Sequence, residues 1–308
     1  MNTLTAPVQT DTAAWEETRL GKFTASTIGK LMQEPKSLSV AFMVEHAHLV
    51  TDMQMFTALK SGPRKGEPRL TPGFADKLKE ACQAQGVPMF GEGALQLIAD
   101  KAMERLSGRP TAQVTTRSMD RGSILEYGAR ILLSRYWKPI EGITWQGYGE
   151  NSGATPDGQV ERGTESLDIK CKEATSELAL FNRSVPDGDF DALESWNKLE
   201  AWQIMHQAKC CGMKYANLVY FTDRWARQII TDEERREVQY DMDEAATLLG
   251  NIRGYPIGYQ FERDPNSGVY GFAYVAKRFE LTEERSNRID RVLKAAESEC
   301  LITMASMA

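Results

Sequence analysis

Polar and apolar side chains alternate strictly between residues 166 and 172. Leu167, Ile169 and Cys171 fall on one side, Asp168 and Lys170 on the other. That period of two predicts a strand with two different faces. Segments 143–148, 153–161 and 166–172 read as consecutive strands, with turn signals over 149–152 and 162–165. Further strands are expected at 216–222, 226–230 and 270–279. Helical spacing of apolar residues predicts helices over 24–32, 38–60, 74–85, 91–107, 195–211, 243–253 and 283–300. Another opens at Ser123 and carries Leu125, Ala129, Leu132 and Tyr136 on one face. Residues 1–14 are expected to be disordered, and 61–73 to form a basic loop rich in proline and glycine. No internal repeat or low-complexity tract is present. The order of elements predicts an α/β fold, a central mixed β-sheet flanked by helices.

At 308 residues the chain can bury a full core. It has no run of about 18 apolar residues and no basic-then-apolar leader pattern, so a cytoplasmic protein is expected, with no membrane partner. Five cysteines without a CxxC pair and three histidines without zinc spacing argue against a disulfide framework or a structural zinc site. The net charge is −6. Residues 231–308 hold 15 acidic and 10 basic residues, leaving 28 and 27 in the rest, so the C-terminal part supplies most of the excess. A near-neutral body is compatible with a local basic groove, but not with indiscriminate binding of polyanions.

The candidate chemistry lies in Thr155-Pro156-Asp157-Gly158 and Leu167-Asp168-Ile169-Lys170-Cys171. Taken alone, the first has the residues of a type I turn and the second those of a solvated strand. Together they place two carboxylates and a lysine on a hairpin, which suits magnesium-dependent phosphodiester cleavage. Other residues have structural readings. Glu126 fits N3 of a capping box begun by Ser123. Glu200, Gln203 and Gln207 form a stripe that reads as a solvated helix face. His206 reads as a surface or supporting residue, Cys210 and Cys211 as core, and His46 and His48 share no face. Arg64, Lys65 and Arg69 mark either a solvated loop or a DNA contact.

The chain resembles the phage lambda exonuclease / YqaJ-like viral recombinase family of PD-(D/E)xK nucleases. The blocks that carry this are Trp15, Arg19-Leu20-Gly21, Thr24-Ala25-Ser26, Arg121-Gly122 with Glu126 and Ala129-Arg130, the two segments above, and Gln203-x-x-His206-Gln207 with Gly212. The resemblance implies a restriction-endonuclease-like core. It implies that Glu126, Asp157, Asp168 and the Ile169 carbonyl hold two Mg²⁺ ions, with Mn²⁺ able to substitute. Lys170 would be the catalytic lysine, and Gln203 would reach the site from the following helix. Arg19, Ser26 and Thr155 would bind the 5′-phosphate.

The implied activity is 5′-to-3′ digestion of linear double-stranded DNA, leaving 3′ overhangs for phage-type recombination. The implied partners are DNA ends, a single-strand annealing protein, and further copies of the chain in a ring trimer. The implied organisation is a nuclease domain over 1–262, with a helical insertion at about 35–115, and a C-terminal extension over 263–308. Asp168 departs from the glutamate of the lambda enzyme. Another PD-(D/E)xK nuclease, of different polarity or an endonuclease, and a degenerate DNA-binding module remain as alternatives.

Overall fold

The computed structural model describes residues 17–111 and 115–307. The expected disorder over 1–14 and the position of Trp15 lie outside the described residues. The chain enters through a two-residue strand β1 (Phe23–Thr24) and helix α1 (Ala25–Leu31). A satellite follows: α2 (Val40–His46), a 3-10 turn (Ala47–Leu49), a hairpin of β2 (Phe56–Ala58) and β3 (Pro68–Leu70), and α3 (Phe74–Gln85). The single helix expected over 38–60 is therefore a helix, a turn and a strand, and the basic loop is the tip and return of a hairpin. Met43, Val50, Phe74, Leu78 and Cys82 supply the reason, because the broken path lets them close a small core of their own.

Two long helices come next, α4 (Glu92–Ser107) and α5 (Arg117–Tyr136). Helix α5 begins six residues before Ser123. Thr116 is the N-cap, its Oγ1 accepting from the Met119 amide at 3.2 Å. Glu126 is therefore mid-helix, and the capping-box reading is overturned. An earlier cap prevails because Gly122 inside a helix costs only about 1 kcal/mol.

Outside the β2–β3 hairpin, the described strands divide between two sheets. β4 (Gln146–Tyr148) and β5 (Ser152–Ala154) join β1 in the order β1-β5-β4. β6 (Gly158–Val160) and β7 (Glu165–Cys171) belong to the larger sheet. The one strand expected over 153–161 is thus split at Thr155–Asp157. Pro156 has no amide to continue a ladder, and the chain uses it to change sheets.

Helices α6 (Thr175–Ser184), α7 (Phe190–Trp196) and α8 (Lys198–Cys210) follow. The helix expected over 195–211 is interrupted at Asn197, whose extended backbone ends α7. Its side chain accepts from the Glu200 amide to start α8. The remainder is β8 (Tyr215–Thr222), β9 (Gln228–Ile229), α9 (Asp232–Arg253), β10 (Gly271–Glu280) and α10 (Glu283–Met307). Helix α9 starts well before the expected 243 because Thr231 and Glu234 form a capping box, with three acids in the first turn.

The five-stranded sheet has the order β6-β7-β8-β10-β9. β7 and β8 run parallel, and the other pairs are antiparallel. The segment expected as a C-terminal extension supplies β10, which pairs with β8 along its length from Ala273 opposite Thr222 to Glu280 opposite Tyr215.

Two cores sandwich this sheet. One joins α1, α4, α6, α7, α8 and α10 to Ala216, Leu218 and Tyr220 of β8. The other joins α5 and α9 to Leu167, Ile169, Val219 and Phe221. Leu167 and Ile169 are at most 4% exposed, worth about 1.5–3 kcal/mol each in burial. Their burial against α5 fixes the register that turns Asp168 and Lys170 toward α8. No helix among the described residues is long and apolar enough to cross a membrane.

Candidate active site

The site forms where β6 leaves β7. The hairpin register ends with Gly158 opposite Leu167, and the Asp157 amide donates to the Leu167 carbonyl at 3.0 Å. One step further, the Asp157 carboxylate replaces the missing strand: its Oδ2 accepts from the Ile169 amide at 2.6 Å. A residue's amide and carbonyl leave a strand on the same edge. The Ile169 carbonyl therefore points to the open edge beside Asp157. Gly158 permits the crossing, since a Cβ there would lie 2.6 Å from Ile140 Cγ2.

On the other face of β7, Asp168 is 1% exposed and meets α8. Its Oδ1 accepts from the side-chain amides of both Gln203 and Gln207, each at 2.8 Å. Lys170 Nζ lies 2.8 Å from Asp168 Oδ2 and donates to Gln203 Oε1 at 3.2 Å. The contact to Oδ2 is ionic but poorly aligned, so that buried oxygen has no hydrogen-bond partner. Lys172 on the same face donates to Glu200, which also accepts from Tyr220 Oη. The stripe of Glu200, Gln203 and Gln207 is therefore not solvated. It faces the strand, and sequence periodicity alone does not distinguish water from a polar strand face.

Glu126 approaches from α5. Arg130, one turn later, donates through Nη2 to Glu126 Oε1, and both side chains are largely buried. Burial raises the Glu126 carboxyl above its ordinary range; Arg130 opposes this and Asp168 adds to it. Burial also raises Asp157 well above its usual value, reinforced by Glu126 and Asp168 and opposed by Arg130 and Lys170. Burial alone would depress Lys170, but Asp168 and Asp157 outweigh it and hold the ammonium above the usual lysine range. The result is three mutually repelling carboxylates, with Lys170 and Arg130 as the opposing cations. Burial also pushes the neighbouring Cys171 thiol well up, so it is a filler rather than a nucleophile.

Among the described residues, no three histidine, cysteine or acidic side chains stand arranged as a finished metal cage. The donors nevertheless suit a hard divalent cation. They are all oxygens, they carry excess negative charge, Asp168 Oδ2 lacks a hydrogen-bond partner, and the Ile169 carbonyl is directed at the same edge.

Ser26 and Thr155 are related through the smaller sheet, and Arg19 precedes it. β1 and β5 pair in parallel with Thr24 opposite Gly153, so Ser26 and Thr155 leave the pair at the same end. Thr155 Oγ1 is buried without a partner. Ser26 is exposed, its hydroxyl 3.0 Å from Thr24 Oγ1. Arg19 is half-buried on the approach to β1; burial lowers its pKa to about 10, and the Glu104 carboxylate resists that fall.

His206 is not a surface residue but fully buried. Its Nε2 is 2.8 Å from Ser152 Oγ, and burial lowers its pKa to about 3. It ties α8 to β5 and so to the Thr155 turn. The sequence assigns no role of their own to Arg130 and Gln207. Their signal was spacing: Arg130 four residues after Glu126, and Gln207 four after Gln203.

No protein-family profile matches the chain, and no curated protein matches it. Solved structures do. An alkaline exonuclease from Laribacter hongkongensis is 15% identical over 96% of this chain and 95% of its own, with a TM-score of 0.51. The structure of that enzyme with dAMP gives 14% identity and a TM-score of 0.50. A phage-related exonuclease from Haemophilus somnus 129PT is 14% identical over 93% of this chain and 96% of its own, at a TM-score of 0.52. The chain has the mixed α/β, PD-(D/E)xK-like fold of these structures.

Proposed function

We propose that the protein is a divalent-metal-dependent exonuclease that digests one strand of linear duplex DNA from its 5′ end. The observation that carries this reading is the meeting of Asp157, Asp168 and Lys170 at the open edge of β7. The exonucleases with similar folds, one of them solved with dAMP, support the same substrate class. Glu126, Asp157, Asp168 and the Ile169 carbonyl would hold Mg²⁺, which when bound would make a water acidic and stabilise the departing oxygen.

The chain's own contribution is positional and electrostatic. Lys170, braced by Gln203, presents a fixed positive charge toward the scissile phosphate and the attacking water. Gln203 and Gln207 hold and aim Asp168, which compensates for an arm one methylene shorter than glutamate. Arg19, Ser26 and Thr155 would receive the terminal 5′-phosphate through a guanidinium and two hydroxyls. Each cleavage on the 5′ side leaves a new 5′-phosphate, so the product presents the group that the next cycle recognises. A role in strand-annealing recombination, with an annealing protein and a ring of copies, belongs to the same proposal.

The deciding experiment uses linear duplexes labelled at either end and a closed circle, each with Mg²⁺. Loss of the 5′ label first, with the circle spared, is expected. Nicking of the circle or loss of the 3′ label first would replace this reading with an endonuclease or the opposite polarity.

A further inference from the structure

The arginine beside the carboxylates has no role in the chemistry above. Arg130 lies one helical turn after Glu126, the favourable order for an acid–base pair on a helix. It donates one Nη2 hydrogen bond to Glu126 Oε1, and its side chain is 12% exposed. Its charge also acts on Asp157, so the guanidinium serves two carboxylates from different elements. Yet its Nε–H is buried with no partner. A buried guanidinium with a purely structural role ordinarily has its donors satisfied. Here one donor is left unmet, which describes a cation held by charge rather than by a fitted socket. The Tyr127 ring, 5.5 Å from the guanidinium carbon, offers a second seat close by.

We propose that Arg130 is a resident counter-charge: it neutralises Glu126 and Asp157 in the metal-free protein and leaves Glu126 when a divalent ion enters. The proposal rests on the metal-dependent reading of the site and adds a regulation to it. Arg130 then competes with the ion for the Glu126 carboxylate. It keeps the empty site folded and weakens metal binding in proportion. Glu126 becomes available only when an ion displaces the arginine, which makes the Mg²⁺ concentration a switch for completing the site.

The test is Mg²⁺ binding by calorimetry and thermal unfolding with and without Mg²⁺, on wild type, Arg130→Gln and Arg130→Lys, without DNA. Arg130→Gln should bind Mg²⁺ about tenfold more tightly than wild type, because a competing unit charge is gone. It should melt lower without metal and gain more from Mg²⁺ than wild type does. Arg130→Lys keeps the charge and should bind within about twofold of wild type. An Arg130→Gln protein that folds only with Mg²⁺ also supports the proposal, and one that stays unfolded at saturating Mg²⁺ overturns it. Equal or weaker binding by Arg130→Gln would overturn it in favour of a permanent Arg130–Glu126 pair that positions a ligand. Failure of all three proteins to bind Mg²⁺ or Mn²⁺ would instead reject the metal reading itself, and the proposal with it.

Discussion

The Asp157 carboxylate takes the Ile169 amide as a strand would, through a 2.6 Å hydrogen bond just before β6 begins. One oxygen of Asp157 is thus committed to holding the hairpin. Asp157→Asn keeps an acceptor for the Ile169 amide and removes the charge. Cleavage of linear duplex should fall by at least about 10²–10³-fold while the unfolding midpoint holds or rises. Retention of Mg²⁺-dependent cleavage would remove Asp157 from the site.

Lys170 should show the complementary behaviour. Lys170→Ala is expected to lower cleavage by about 10²–10⁴-fold with duplex binding kept, as measured by gel shift in Ca²⁺. Lys170→Arg should not rescue it, because a planar fork does not fit between Asp168 and Gln203 as an ammonium does. Near-normal turnover in either variant would show that the lysine is only a counter-ion for Asp168.

Gln207 makes one of the two hydrogen bonds to Asp168 Oδ1 and is 2% exposed. Gln207→Ala should cost about 1.5–3 kcal/mol in urea unfolding, the range for a buried bond to a charged group. Activity should fall less than in Lys170→Ala, since Gln203 still holds the same oxygen. An unchanged unfolding midpoint would mean that water replaces the amide.

Arg19→Ala is a test of end recognition. Digestion of 5′-phosphorylated duplex should slow by about tenfold or more, and digestion of 5′-hydroxyl duplex much less, because only the former offers a phosphate monoester to the guanidinium. Equal loss on both ends would assign Arg19 to folding, through its contact with the charge of Glu104.

His206 sets an acid limit. Its pKa falls from 6.5 unfolded to about 3 folded, so below pH 6.5 the unfolded chain binds the extra proton. Stability from this group is fully present above pH 6.5 and declines by about 1.4 kcal/mol per pH unit as the pH falls toward 3. His206→Gln should flatten that slope between pH 6.5 and 4 in chemical denaturation; an unchanged slope would trace the acid sensitivity elsewhere.

Much of this was legible in the chain where the two faces of an element meet different surroundings. Leu167, Ile169 and Cys171 alternate with Asp168 and Lys170 because one face packs on α5 and the other on α8. What was not legible was polar packing on polar. Gln203 and Gln207 have the pattern of a wet helix face, and only the β7 residues opposite them reveal a dry one. Helices α6 and α7 are short, separated by Pro186 and Gly188, and gave no long period to detect. The break before β6 is legible in Pro156, but the partner of Asp157 on the next strand, the Ile169 amide, is a main-chain group and leaves no trace in side-chain identity.

Strand β10 has a consequence for how the protein comes into being. It lies between β8 and β9, so β8, the neighbour of the strand bearing Asp168 and Lys170, keeps a bare edge until Gly271–Glu280 has been synthesised. A growing chain on the ribosome has every acid and lysine of the site long before it has the sheet that aims them. Assembly must wait for a contact between distant parts of the sequence, which is slow and leaves the open edge exposed to other chains. A site built this way is incomplete until the chain that carries it has been released far enough to fold.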